Sequence, residues 1–179
     1  AKSHLGLKNR KTILILGCIH PRKGHDLLID AMRYLPKEYY LIIAGDAVPS
    51  QQNYKNTLIN SIKTFALSDR IRITGYLTDS ELEIVLTATD LAALPCRNVS
   101  ASGSLNTVIS AGVPVIATDL PLFHEYNSIV NNSITILPKF DSYYLAKMIQ
   151  EMPLKDGEIK KRLVDLKSHL SIKNTAKKY

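Results

Sequence analysis

Short apolar runs separated by helix-length segments fill this chain from end to end, and that alternation leaves few folds open to it. Thr12–Gly17 (TILILG) and Tyr39–Gly45 (YYLIIAG) are rich in Ile and Leu, as strands covered on both faces are. Arg70–Gly75 (RIRITG) alternates cleanly, which predicts a half-exposed edge strand. Thr89–Leu94, Val115–Thr118 and Ser133–Leu137 supply a fourth, fifth and sixth strand. Between them, Gly24–Leu35 sets Leu27, Leu28, Ala31 and Leu35 on one helical stripe that Pro36 stops. Residues 51–67 form a longer helix with Tyr54, Leu58, Ile62 and Phe65 inward. Thr78-Asp79-Ser80-Glu81 offers N-caps for a helix over Glu81–Ala88. Helices Ser142–Glu151 and Lys155–Leu170 follow the last strand, and the chain closes in another helix-like segment. The expected architecture is α/β, a doubly wound parallel sheet of six strands with right-handed crossovers. Residues 1–179 read as one domain, with no repeat or linker dividing them.

Two loops in this pattern have the chemistry of anion cradles. In Pro95–Thr118 (PCRNVSASGSLNTVISAGVPVIAT), a loop of Ser, Ala and Gly opens a helix that ends at Gly112 before the fifth strand. A helix start at Ser102-Gly103-Ser104 leaves backbone N–H groups unpaired, where the helix dipole favours negative charge. After the first strand, Gly17-Cys18-Ile19-His20-Pro21-Arg22-Lys23-Gly24 repeats the arrangement with two cations. In doubly wound sheets ligands bind beyond the carboxyl ends of the strands, where strand order reverses, and strands 1 and 4 flank that point in the common order. Both loops follow those strands. Spacing alone leaves two readings, glycines that ease turns and glycines that admit a phosphate, most simply a diphosphate. The Gly-x-Gly-x-x-Gly fingerprint of dinucleotide pockets is absent, as is the Walker pattern.

Charge narrows the class of partner. The net charge of +7 resides at the ends: residues 1–23 carry six Lys or Arg and no acid, and residues 155–179 carry eight against three acids. No aromatic residues interleave with these basic ends to stack bases, which argues against a nucleic-acid partner and for a solvated or membrane-proximal face. No apolar run approaches the roughly 20 residues that cross a bilayer. The opening residues lack the apolar centre of a signal peptide, so the expected location is the cytoplasm, peripheral to the inner face of the membrane at most. Cys18 and Cys96 lack paired-ligand spacing and read as reduced thiols. His20, His25 and His124 read as loop histidines, and Glu125 as an anchor for the loop after the fifth strand.

Together these landmarks resemble the C-terminal domain of retaining glycosyltransferases with the GT-B fold, specifically glycosyltransferase family 4. Gly17 through Ala31 is similar to the family's strand, Gly-Arg-x-x-x-x-Lys-Gly and following helix. RIRITGYLTDSEL, ATDLAALP and SAGVPVIATDLPLFHE resemble its later landmarks in the same order. The resemblance implies a Rossmann-like domain that binds a nucleoside-diphosphate sugar as substrate, with no cofactor or metal. It also implies a missing N-terminal acceptor domain or partner subunit, and transfer with retention to a glycan or lipid-linked acceptor. By position, Lys23 and Gly24, with Arg22 beside them, would face the donor diphosphate. Ser102, Gly103, Ser104 and Leu105 would offer it backbone amides, and Gly75 and Tyr76 would line the base pocket. Thr107 falls where the family has a ribose-binding glutamate, Val99 where it has a second, and Cys18 where it has an arginine. Arg22 or Arg97 is the expected replacement for that last cation. These departures keep open an alternative reading, a non-catalytic, degenerate binding domain.

Overall fold

Parallel strands need a crossover between them, and the chain supplies one after each strand. The computed structural model describes residues 1–154 and 157–176, with side chains through residue 170. Strands β1 (Lys11–Leu16), β2 (Tyr39–Ala44), β3 (Ile71–Gly75), β4 (Leu91–Leu94), β5 (Val115–Thr118) and β6 (Thr135–Leu137) form one sheet in the order β3-β2-β1-β4-β5-β6. Every pairing is parallel, including β1 with β4 through Ile13 opposite Leu91. The expected doubly wound, Rossmann-like α/β sheet is therefore present, and β3 is one of its two edge strands, as the alternation in RIRITG predicts.

Strand residues alternate between two cores. Ile13, Ile15, Leu41 and Ile43 pack under α1 (His25–Ala31), α2 (Gln52–Thr64) and α6 (Ser142–Glu151). Leu14, Ile42 and Ala92 face α3 (Asp79–Ala88), α4 (Gly103–Ser110), α5 (Pro121–Ile129) and α7 (Gly157–Ala176). Each fully buried Leu, Ile or Phe contributes roughly 1.5–3 kcal/mol relative to exposure.

Several boundaries differ from expectation for local reasons. The first helix starts at His25 because Gly24, at φ +71°, is its left-handed cap. It ends at Ala31, where 3-10 bonds from Arg33 to Asp30 and from Tyr34 to Ala31 tighten the chain before Pro36. α2 stops at Thr64 because Ala66 turns left-handed at φ +53° and the Leu67 amide returns to the Ile62 carbonyl. Thr78 does cap α3, in a reciprocal box with Glu81, so the helix begins two residues before Glu81. A helix not expected from the sequence, α5, replaces the supposed loop after β5; Pro121 opens it and fully buried Phe123 anchors it. Glu125 thus sits within a helix. The last two expected helical segments are one helix, α7; the expected start at Lys155 lies outside the described residues.

Candidate functional site

Backbone at the carboxyl ends of β1, β2 and β3 is shaped by glycines that only a residue without Cβ satisfies easily. Gly17 (φ +111°) and Gly45 (φ +146°) touch so closely that a Cβ on Gly45 would lie 2.2 Å from the Gly17 carbonyl oxygen. From Gly17 the chain enters a single 3-10 turn, Pro21–Lys23, which His20 caps by accepting a hydrogen bond from the Arg22 amide at 3.2 Å. Lys23 ends that turn and folds back over β1. Its Nζ donates to the Leu16 carbonyl and to Ser104 Oγ, both at 3.2 Å. A Cβ at position 17 would fall 2.4 Å from that Nζ, so Gly17 makes the room the ammonium occupies.

Across the switch point, β4 runs through Pro95–Ala101 into α4. Ser102 is the N-cap and accepts a bond from the Leu105 amide at 3.1 Å. The Gly103 and Ser104 amides meet no acceptor among the described residues and point out of the helix start. The two loops enclose a cavity of about 220 Å³ lined by Cys18, Arg22 and Lys23 on one side and Cys96, Asn98, Val99 and Ser102–Ser104 on the other. Its lining contains no carboxylate. Lys23 has no acidic partner among the described residues, so the cavity combines an uncompensated cation with two open amides. Its size suits a phosphate or diphosphate with its nearest neighbours and leaves the rest of a larger ligand outside.

Nearby groups respond to this environment. Burial, with Lys23 next, pushes His25 down to about 4, so the imidazole is neutral. Burial pushes the Cys96 thiol up, against a smaller pull from Lys23 and Arg22. Burial also works against ionisation of Asp26, yet hydrogen bonds from Arg97 and Tyr54 hold its carboxyl below the usual range.

The structure gathers Arg22, Lys23, Ser102, Gly103 and Ser104 around one cavity. Gly24 is adjacent but buried, and its missing Cβ faces the Pro95 carbonyl oxygen, which a Cβ would approach to 1.9 Å; it lets the two loops touch. Leu105 is buried and its amide is taken by the Ser102 cap. Thr107 lies farther along α4, with its hydroxyl donating to the Gly103 carbonyl at 3.0 Å. Gly75 bridges to Gly45 at the strand ends. Tyr76, 71% exposed, lines a different hollow of about 310 Å³ with Tyr40, Arg72 and Glu81. Of the two arginines proposed to replace a cation at Cys18, Arg22 reaches the cavity, whereas Arg97 is bound to Asp26. Asn98 lines the cavity without having been expected there. Gly17, which opens the first expected cradle, lies beside the cavity and makes room for Lys23.

A family model described as glycosyl transferases group 1 matches residues 2–167. The chain belongs to that family. A relative, the O-antigen biosynthesis glycosyltransferase WclY of Escherichia coli, is 31% identical over 104 residues, which are 58% of this chain and 27% of WclY. Among solved structures, HepE of Anabaena in complex with UDP-glucose superposes with a TM-score of 0.80 at 22% identity, covering 95% of this chain and 46% of HepE. The crystallised C-terminal domain of LpcC, a group 1 protein of Francisella tularensis, gives 0.76 at 20% identity, covering 96% of this chain and 90% of that domain. The chain thus spans about a quarter of the length of WclY and about half of HepE. The family adds a GT-B frame to the fold already described.

Proposed function

We propose that this chain is the donor-binding half of a sugar transferase. It binds a nucleoside-diphosphate sugar, and an N-terminal domain or partner subunit completes the active site and supplies the acceptor contacts. The observation that carries this reading is Lys23 Nζ, held 3.2 Å from Ser104 Oγ over a cavity without carboxylates. The diphosphate would lie on Lys23, Arg22 and the Gly103 and Ser104 amides. The nucleoside would extend over the Gly17–Gly45–Gly75 row toward Tyr76. HepE, which shares the fold, was solved with UDP-glucose, and that supports the ligand class.

Transfer would proceed as the glycosidic bond breaks and charge grows on the leaving diphosphate. A lysine and fixed amides stabilise that charge without reorganising. The reading assigns no nucleophile to this chain and holds that transfer retains configuration, to a glycan or lipid-linked acceptor. It places the protein in the cytoplasm, where the basic chain ends favour an anionic membrane surface. Alone, the chain would bind donor and turn over little, because closure needs both halves.

A second reading, a binding domain without transfer, rests on Val99 in the cavity wall and on Thr107, whose hydroxyl bonds within its own helix. A thermal-shift panel of UDP, GDP, ADP and their sugar conjugates tests ligand class. At ligand about tenfold above Kd, linkage gives roughly 1.4 kcal/mol, or about 3–6 °C for a domain of this size. No shift at millimolar ligand would remove the donor-site reading.

A further inference from the structure

Lys23 depends on a turn that is too short to hold itself. Pro21–Lys23 is one 3-10 turn, and such turns have poor hydrogen-bond geometry and little internal cooperativity. What fixes it is the opposite loop, at three points. Gly24 rests against the Pro95 carbonyl with no space for a Cβ. The Arg97 amide donates to the Arg22 carbonyl at 2.7 Å. The Arg97 side chain donates through Nη1 to the Pro21 carbonyl at 2.7 Å. One residue therefore grips the two successive carbonyls that precede Lys23.

The guanidinium is itself held in place. It meets Asp26 in a two-pronged pair, Nη1 to Oδ1 at 2.9 Å and Nη2 to Oδ2 at 2.5 Å. Tyr54 on α2 donates its hydroxyl to the same Oδ1 at 2.9 Å, and the ring of Phe140 lies 4.6 Å beneath the guanidinium. Asp26 stands in the first turn of α1, so the pair also ties the helix that follows the turn. Only a planar fork satisfies Asp26 with two bonds while sparing a donor for Pro21; a lysine ammonium cannot reproduce that geometry.

We propose that Arg97 and Asp26 are positioning residues for the anion cradle. They hold the loop after β1 against the loop after β4, so that Lys23 and the α4 amides converge on the same pair of phosphates. The proposal rests on the donor-site reading above and deepens it, giving the site a built spacing between its two halves. Arg97 contributes no charge to the ligand, because its guanidinium is already committed to Asp26.

The test uses Arg97→Gln, Arg97→Lys and Asp26→Asn, with two readouts. The first is hydrogen exchange of the amides of residues 20, 22–24 and 97, which needs no ligand. The second is calorimetric affinity for UDP and GDP, each against its monophosphate. The expected result is faster exchange confined to these loops and about tenfold weaker diphosphate binding, with a smaller loss for the monophosphates. Arg97→Lys should not rescue either, and the Arg97→Gln/Asp26→Asn double variant should lose no more than the worse single one. Unchanged exchange in Arg97→Gln would overturn the clamp. Loosened loops with unchanged diphosphate affinity would overturn its positioning role. Equal losses for di- and monophosphates would also overturn it, by showing general destabilisation. If the unmodified chain binds no nucleotide, the donor-site reading falls, and the positioning role falls with it, whatever the exchange data show about the clamp.

Discussion

Lys23 Nζ lies 3.2 Å from Ser104 Oγ, a contact between residues 81 apart that joins the loop after β1 to the first turn of α4. It places the cation of one loop beside the open amides of the other. The ammonium has only neutral partners there, the Leu16 carbonyl and the Ser104 hydroxyl. Such an ammonium is available to an anion.

The glycines beneath and beside it should tolerate no side chain. Gly24→Ala combines φ +71° with a backbone oxygen 1.9 Å from the new Cβ, so neither partner can yield cheaply. Urea unfolding should show a loss of roughly 2–5 kcal/mol. Gly17→Ala should lose about 1–3 kcal/mol and also displace the Lys23 ammonium, because the obstruction there is the far end of a flexible side chain.

Buried His25 makes stability fall with acid. Its folded value of about 4 is below that of an unfolded histidine, roughly 6.5, so the unfolded chain binds the extra proton between them. Stability from this group is complete above about pH 6.5 and declines as pH drops toward 4, by about 3 kcal/mol in total. Asp26, whose carboxyl Arg97 and Tyr54 hold below the usual carboxylate range, keeps its contribution until the pH is lower still. His25→Phe should flatten the stability profile between pH 7.5 and 5, measured by urea unfolding at each pH. An unchanged slope would place the acid sensitivity elsewhere.

The unexpected helix α5 should matter as much as those the sequence announces. Phe123 is fully buried between it and the sheet. Phe123→Ala should therefore cost about 3–5 kcal/mol. A loss under 1 kcal/mol would mean that α5 is not a core element.

Arg22 and Arg97 should behave differently despite sharing a charge. Arg22 lines the cavity with no acidic partner among the described residues, so Arg22→Gln should weaken nucleotide binding and reduce its salt dependence. Arg97 variants should weaken binding while leaving the salt dependence intact, because the Arg97 charge is matched by Asp26. Titrations at two ionic strengths separate the two.

The strands were legible because runs such as TILILG and YYLIIAG carry their own burial signal, and the order of loops then located the switch point. α5 was not, because PLFHEYNSI holds just one fully buried side chain and mixes aromatic with polar residues. The cradle was half legible. Lys23 and the Ser102–Ser104 helix start are local features, whereas the Arg97–Asp26 pair spans 71 residues and exists only in three dimensions. Gly24 shows the same limit. Its presence in the loop suggested approach to a ligand, yet its Cβ-free face is turned to Pro95.

The most direct test of the central claim is calorimetric titration of UDP and GDP into this chain and into Lys23→Ala. The account predicts binding of at least one of them, weakened roughly 10- to 100-fold by the substitution, as expected for loss of a charge-assisted hydrogen bond to phosphate. Equal affinity in the two proteins would contradict it, since the diphosphate would then lie somewhere other than between Lys23 and the start of α4.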